Sequence, residues 1–175
     1  GTIPALTLVR NEAERSKSDA SFQWPVESIA ADEKLRARKS LSHAVKLIAP
    51  LKLNEDVVVP VSQLADFVDF IDHMAQAHRL AVVSFGHAGN GNLHVNLMVH
   101  PDDEDEMARA HIALEALMQR VLALGGTLSG EHGIGTEKRR FVPQEIEPAT
   151  LDIMRAIKQQ FDPRGLLNPG KLFPD

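Results

Sequence analysis

The stretch Leu80-Ala81-Val82-Val83-Ser84-Phe85-Gly86-His87-Ala88-Gly89-Asn90-Gly91-Asn92-Leu93-His94-Val95-Asn96-Leu97-Met98-Val99 decides the fold class. Its first part, Leu80 to Phe85, is a short apolar run rich in β-branched residues and reads as a buried strand. After a loop with three glycines, Leu93 to Val99 alternates. Leu93, Val95, Leu97 and Val99 share one face, and His94, Asn96 and Met98 share the other. Strands joined by so short a loop run antiparallel, because parallel neighbours need a long crossover.

Upstream of this hairpin, Glu55 to Pro60 carries Val57, Val58 and Val59 and reads as a further strand. Ser62 is placed to cap a helix whose apolar positions Leu64, Phe67, Val68, Ile71 and Ala75 recur at helical spacing. Earlier still, Leu35, Leu41, Ala44, Val45 and Ile48 predict a helix from Asp32 to Ile48 that Pro50 ends. Gly1 to Pro25 offers one apolar stretch, Ile3 to Val9, and then a polar loop, so residues 1–25 are expected to form a partly mobile arm.

Downstream, Asp102 to Asp105 set negative charge at the start of a long helix with Met107, Ala110, Leu114, Leu117, Val121 and Leu122 on its apolar stripe, and Gly125-Gly126 stops it. A short strand is expected at Thr127 to Ser129. Pro148 opens a last helix through Ile153, Met154, Ile157 and Phe161, and the Pro- and Gly-rich tail 162–175 is irregular. This order predicts an α+β fold: an antiparallel sheet with helices packed on one face, of the ferredoxin-like kind, over residues 26–161.

The 175 residues, 43% of them hydrophobic, suffice for one core. A formal charge of −5 gives no electrostatic support for a nucleic-acid partner. The absence of cysteine rules out disulfides, thiolate nucleophiles and iron–sulfur ligation, so a metal must be held by His, Asp or Glu. No apolar run reaches the ~20 residues needed to span a bilayer. The expected location is cytoplasmic, with any membrane association made through a partner.

Chemistry-bearing residues concentrate in Gly86–His94 and Gly130–Gly135. His94 and Asn96 project from one strand face, and a chain doubling back through the glycines can bring His87 beside His94. Glu131 can add an oxygen, giving a two-histidine, one-carboxylate set that leaves coordination positions open for water or substrate. His132, its neighbour, need not be a ligand and is placed to accept a proton. The other histidines, His43, His73, His78, His100 and His111, read as scaffold or surface. The first loop is no phosphate cradle, because such loops run from strand to helix and this one runs from strand to strand.

In order, His87-x-Gly-Asn-Gly-Asn-Leu-His94-x-Asn96, Gly130-Glu131-His132-Gly133-Ile134-Gly135-x-x-Lys138 and Asn168-Pro169-Gly170-Lys171 resemble the C-terminal domain of FAD-linked 2-hydroxy-acid dehydrogenases, in the vanillyl-alcohol-oxidase superfamily. The resemblance implies that His87, His94 and Glu131 are ligands of a divalent metal, zinc or manganese, and that His132 is the proton-abstracting base. It implies that Asn96 contacts substrate and that Arg38, with Ser42 one turn later, binds the substrate carboxylate. The family's tryptophan is Leu35 here, which leaves Arg36 as the other candidate arginine. Asn90 replaces the family's usual Asp, with an effect expected on turn geometry.

The same resemblance implies oxidation of a D-2-hydroxy acid with hydride transfer to FAD. The flavin would be held mainly by a preceding FAD-binding domain, to which residues 162–175 would return with Asn168 and Lys171 near the cofactor. An electron acceptor would complete the set of partners. Two other readings are a metal-binding module with no activity of its own and a zinc hydrolase working without flavin.

Overall fold

The computed structural model describes residues 48–174. The strand expected at Ile3 to Val9, all but the last residue of the helix expected from Asp32 to Ile48, and Arg36, Arg38, Ser42 and His43 lie outside that range. Three strands, β1 (Leu51–Val58), β2 (Ala81–His87) and β3 (Asn92–Val99), form a sheet in the order β1-β3-β2. Both pairings are antiparallel, with Asp56 and Phe85 flanking His94 and with Asn54 and Val83 flanking Asn96.

β1 begins four residues before the predicted Glu55. The strand is extended by the alternation of Lys52, Asn54 and Asp56 with Leu53 and Val57 and by pairing that runs from Leu51 opposite Val99 to Val58 opposite Asn92. Between β1 and β2 runs α1 (Leu64–His78). Ser62 does not cap it. Val61–Gln63 form a 3-10 turn, and the residue before the helix is Gln63, with no side-chain cap.

Helix α2 (Glu104–Ala123) starts as expected: Asp103 accepts from the Glu106 N–H at 2.9 Å, and three acids occupy the first turn. Both long helices lie on one face of the sheet. Phe67, Ile71 and Met74 of α1 and Ala113, Leu117 and Val121 of α2 close on Val57, Leu93, Val95, Leu97 and Val99. A side chain such as Phe67, fully buried, gains about 1.5–3 kcal/mol from leaving water.

The predicted strand at Thr127 to Ser129 is a single bridge, with two backbone bonds between Val58 and Thr127. It stops there because the next backbone groups are taken elsewhere. The Leu128 N–H donates to Glu145, and the Leu128 carbonyl accepts from Lys138. The bridge sits on the outer side of β1, so the topology is two interleaved β-α-β units with the fourth strand reduced to one residue.

The chain continues through a 3-10 turn (Arg139–Phe141), the short α3 (Val142–Glu145) and α4 (Pro148–Phe161). Its tail has no regular structure but is tied down. Asp162 accepts from the Leu166 and Leu167 N–H groups and from Lys158, and the Leu172 N–H donates to the Gly135 carbonyl. No helix among the described residues is long and apolar enough to cross a membrane.

Candidate active site

Register places Lys52, Asn54 and Asp56 of β1, Phe85 and His87 of β2, and Asn92, His94, Asn96 and Met98 of β3 on the sheet face opposite the helices. That face is not uniformly polar. Met98 and Val83 pack with Ala49 in a second apolar cluster, and Asn96 is fully buried. The Asn96 amide donates to the Val83 carbonyl at 2.9 Å, while its Oδ1 has no hydrogen bond.

The hairpin turn brings the two histidines together. Ala88–Asn90 form a 3-10 turn, and Gly91 follows with φ +76°, where a Cβ would meet the Val59 carbonyl oxygen at 1.9 Å. Asn90 Oδ1 accepts from the Asn92 N–H at 3.2 Å, so Asn90 acts on the turn, as expected. The rings of His87 and His94 end with centroids 6.1 Å apart.

The second glycine segment reaches the same place through a residue that sequence reasoning overlooked. Asp56, fully buried, accepts at Oδ2 from the Gly130, Glu131 and His132 N–H groups at 2.9, 2.7 and 2.8 Å and from the Ser129 hydroxyl at 3.2 Å. Burial alone would raise its pKa. The amides of His132 and Glu131 outweigh that, and the carboxyl is pulled down to about 2.

Beneath this turn Lys138, also buried, donates to the Asp56 and Leu128 carbonyls at 2.5 and 2.7 Å and lies 3.5 Å from Glu55. Burial pushes the Lys138 pKa down and the Glu55 pKa up, each partly offset by the other.

Held this way, Glu131 Oε1 sits 3.0 Å from His94 Nε2, and His132 stacks on His94 with centroids 5.1 Å apart. One donor atom each from His87, His94 and Glu131 lies within 4.8 Å of the other two. Three donors around one ion at about 2.1 Å would stand roughly 3.4 Å apart, so the set needs a small inward closure. Glu131, about half exposed, is free to make it.

The proton count also fits a cation. His94 is pushed toward its neutral form by burial, against the pull of Asp56 and Glu131. A neutral ring has one N–H but faces a carboxylate at both nitrogens, Asp56 Oδ1 4.0 Å from Nδ1 and Glu131 Oε1 3.0 Å from Nε2. A divalent ion held by His87, His94 and Glu131 would satisfy the side that the proton cannot.

A cavity of about 730 Å³ opens beside the cluster, along the β1 edge. His132, Gly133, Lys52, Arg140, Lys171 and His111 are on its walls, so His111, read as scaffold or surface, faces open space. His87, His94 and Glu131 are not on those walls; His132 is the link between cluster and cavity. Asn54 contacts the same histidine, 3.5 Å from Nδ1. Asn168 and Lys171 line a second cavity, of about 460 Å³, with Leu172 and Phe173. His73 and His100, read as scaffold or surface, are exposed and hydrogen-bonded, to the Asp69 carbonyl and to Glu106.

Residues 9–172 match the family described as FAD linked oxidases, C-terminal domain. The chain is 37% identical over 166 residues to glycolate oxidase subunit GlcD of Bacillus subtilis, covering 93% of this chain and 35% of that protein. It is 32% identical over 166 residues to the probable mitochondrial D-lactate dehydrogenase of Danio rerio, covering 94% and 33%. It is 34% identical over 143 residues to D-2-hydroxyglutarate dehydrogenase of Stutzerimonas stutzeri, covering 79% and 30%. The chain thus spans about a third of the length of these curated relatives.

Proposed function

This chain belongs to the family of C-terminal domains of FAD linked oxidases, and from that premise we propose that it is the substrate-side part of a flavoprotein that oxidises the CH–OH group of a D-2-hydroxy acid. The observation that carries the reading is His132. It stacks on His94 of the His87/His94/Glu131 cluster and at the same time lines the 730 Å³ cavity. A base that joins a cation site to a cavity is suited to removing a proton from a metal-polarised alcohol.

The roles divide as follows. His87, His94 and Glu131 would hold a zinc or manganese ion, which when bound would polarise the hydroxyl and carboxylate oxygens of the substrate. The Asn54 amide nitrogen lies 3.5 Å from His132 Nδ1 and its amide oxygen is buried without a hydrogen bond. Exchanging the two by an amide flip would let the oxygen accept Nδ1–H, leaving His132 a lone pair on Nε2 to take the hydroxyl proton. Asn96 is assigned to the substrate by the family resemblance; its Oδ1 is one of several buried acceptors on that face without a hydrogen bond, and it lies on neither cavity wall. Arg38, with Ser42 beside it, pairs with the substrate carboxylate. Bound FAD supplies the hydride acceptor, and an electron acceptor reoxidises it.

Among the described residues no glycine loop runs from strand to helix as a pyrophosphate cradle requires, and the preceding domain that the family resemblance implies is the proposed main holder of the cofactor. Asn168 and Lys171, on the wall of the second cavity, are its contacts from this chain. The segment 162–175 makes the return to that domain, and the exposed Leu166 and Leu167 within it support such a seat.

The test uses the flavin-bearing protein, in which anaerobic addition of D-lactate, glycolate or D-2-hydroxyglutarate should bleach the flavin absorbance. His132→Ala should slow that bleaching by about 10²–10⁴-fold with an unchanged melting temperature. Bleaching by none of the three acids would overturn the reading. Ester or amide hydrolysis without flavin would replace it with the hydrolase.

A further inference from the structure

Asp56 belongs to none of the roles assigned above, yet its two oxygens touch both halves of the cluster. Oδ2 takes four donors, from Ser129, Gly130, Glu131 and His132, all on the segment that carries the carboxylate ligand and the base. Oδ1 is buried and has no hydrogen bond, and 4.0 Å from it stands His94 Nδ1. A fully buried carboxylate oxygen without a donor has lost its hydration with nothing in return, so its position calls for one. Of the two His94 nitrogens, Nε2 faces Glu131, which leaves Nδ1 to supply it.

We propose that Asp56 is the positioning residue of the metal centre: Oδ2 builds the Gly130–His132 turn, while Oδ1 accepts the His94 Nδ1 proton and so fixes Nε2 as the ligating nitrogen. The inference rests on the metal-centre reading of the proposed function. A metal-bound imidazole is commonly oriented by a carboxylate on its other nitrogen, which sets the tautomer and raises ligand basicity. What is particular here is that one carboxylate serves a histidine on β3 and a turn more than 70 residues further along β1's own chain. Asp56 therefore couples the geometry of His94 to that of Glu131 and His132: moving one moves the others.

Two measurements on the 175-residue chain test this. In the ¹⁵N-labelled chain with zinc chloride added, so that Glu131, 3.0 Å from Nε2, does not hold the single ring proton there, long-range ¹H–¹⁵N correlations at neutral pH should show His94 protonated at Nδ1 and without a proton at Nε2. Asp56→Asn keeps an acceptor for the turn amides but presents an amide N–H to Nδ1. It should move His94 to the Nε2–H tautomer, shift the Gly130, Glu131 and His132 amide protons upfield, and weaken binding of zinc chloride or manganese chloride about 10–100-fold by calorimetry. A carboxylate that merely stabilised the fold would change the melting temperature and leave tautomer and affinity alone.

An Nε2–H tautomer in the unsubstituted chain overturns the proposal, as does Asp56→Asn with unaltered tautomer and affinity. If the unsubstituted chain has the Nδ1–H tautomer, Asp56→Asn reverses it and neither metal binds, the positioning of His94 stands and the metal reading of the proposed function falls. If Asp56→Asn does not fold, the tautomer of the unsubstituted chain decides.

Discussion

Lys138 illustrates how much of the site depends on one side chain outside the cluster. Its ammonium caps the carbonyls of Asp56 and Leu128, and its buried neighbour is Glu55. Lys138→Ala would leave two carbonyls and a carboxylate buried without a donor, a loss of about 3–5 kcal/mol in urea denaturation. Lys138→Met combined with Glu55→Gln should recover most of it, because the charge left behind is the larger cost. Equal losses in the two variants would mean that the carbonyl contacts dominate. Glu131 behaves oppositely. Half exposed and 3.0 Å from His94, it contributes to the cluster and little to the core. Glu131→Gln is expected to lower zinc affinity at least tenfold while changing the unfolding free energy by less than about 0.5 kcal/mol.

At the level of elements, the hairpin turn is the joint on which the cluster hangs. Gly91→Ala combines a positive φ with a Cβ driven into the Val59 carbonyl, so a cost of about 2–4 kcal/mol is expected in denaturant titrations, with metal affinity falling alongside. Stability lost without any change in affinity would mean that His87 and His94 are brought together by the strands rather than by the turn. This hairpin was legible in the sequence because alternation and glycine spacing are local signals. So were His87, His94 and Glu131, which the structure gathers within 4.8 Å. Asp56 was not. With β1 read as starting at Glu55, the alternation that puts Asn54 and Asp56 on the His94 face is invisible, and nothing local says that an acid before a valine run will collect amides from residues 130–132. Ser62 failed for a related reason: a good capping residue was read without the 3-10 turn that Pro60 starts. The fourth strand shrank to Thr127 because tertiary donors compete for the backbone of Leu128.

Across the whole molecule, the last helix and tail differ from the rest. Asp162 anchors the tail, and its pKa is lowered by Lys158, against burial, with help from the Leu167 and Leu166 amides. A depressed carboxylate gives stability that is full above its unfolded pKa and lost as the pH falls through its folded one. Amide exchange at Leu166 and Leu167 should therefore accelerate below the ordinary carboxylate range, ahead of exchange at Val95 and Leu97 in the sheet. On α4 one residue, Leu151, is buried, whereas Ile153, Ile157 and Phe161 recur at four-residue spacing on an exposed stripe, with Phe161 82% accessible. Scattered exposed apolar residues need no explanation, but a stripe continued by Leu166 and Leu167 does. Because the chain covers about a third of its relatives, the flavin-holding part proposed above is the natural cover. Phe161→Ser then separates two situations. In the 175-residue chain the side chain is already in water, and the thermal midpoint should move by less than about 0.5 kcal/mol. In the flavin-bearing protein the same substitution should cost about 1.5–3 kcal/mol, the value of burying a phenylalanine, and should loosen flavin retention. An equal, small effect in both would place the flavin-holding part against another face of this domain.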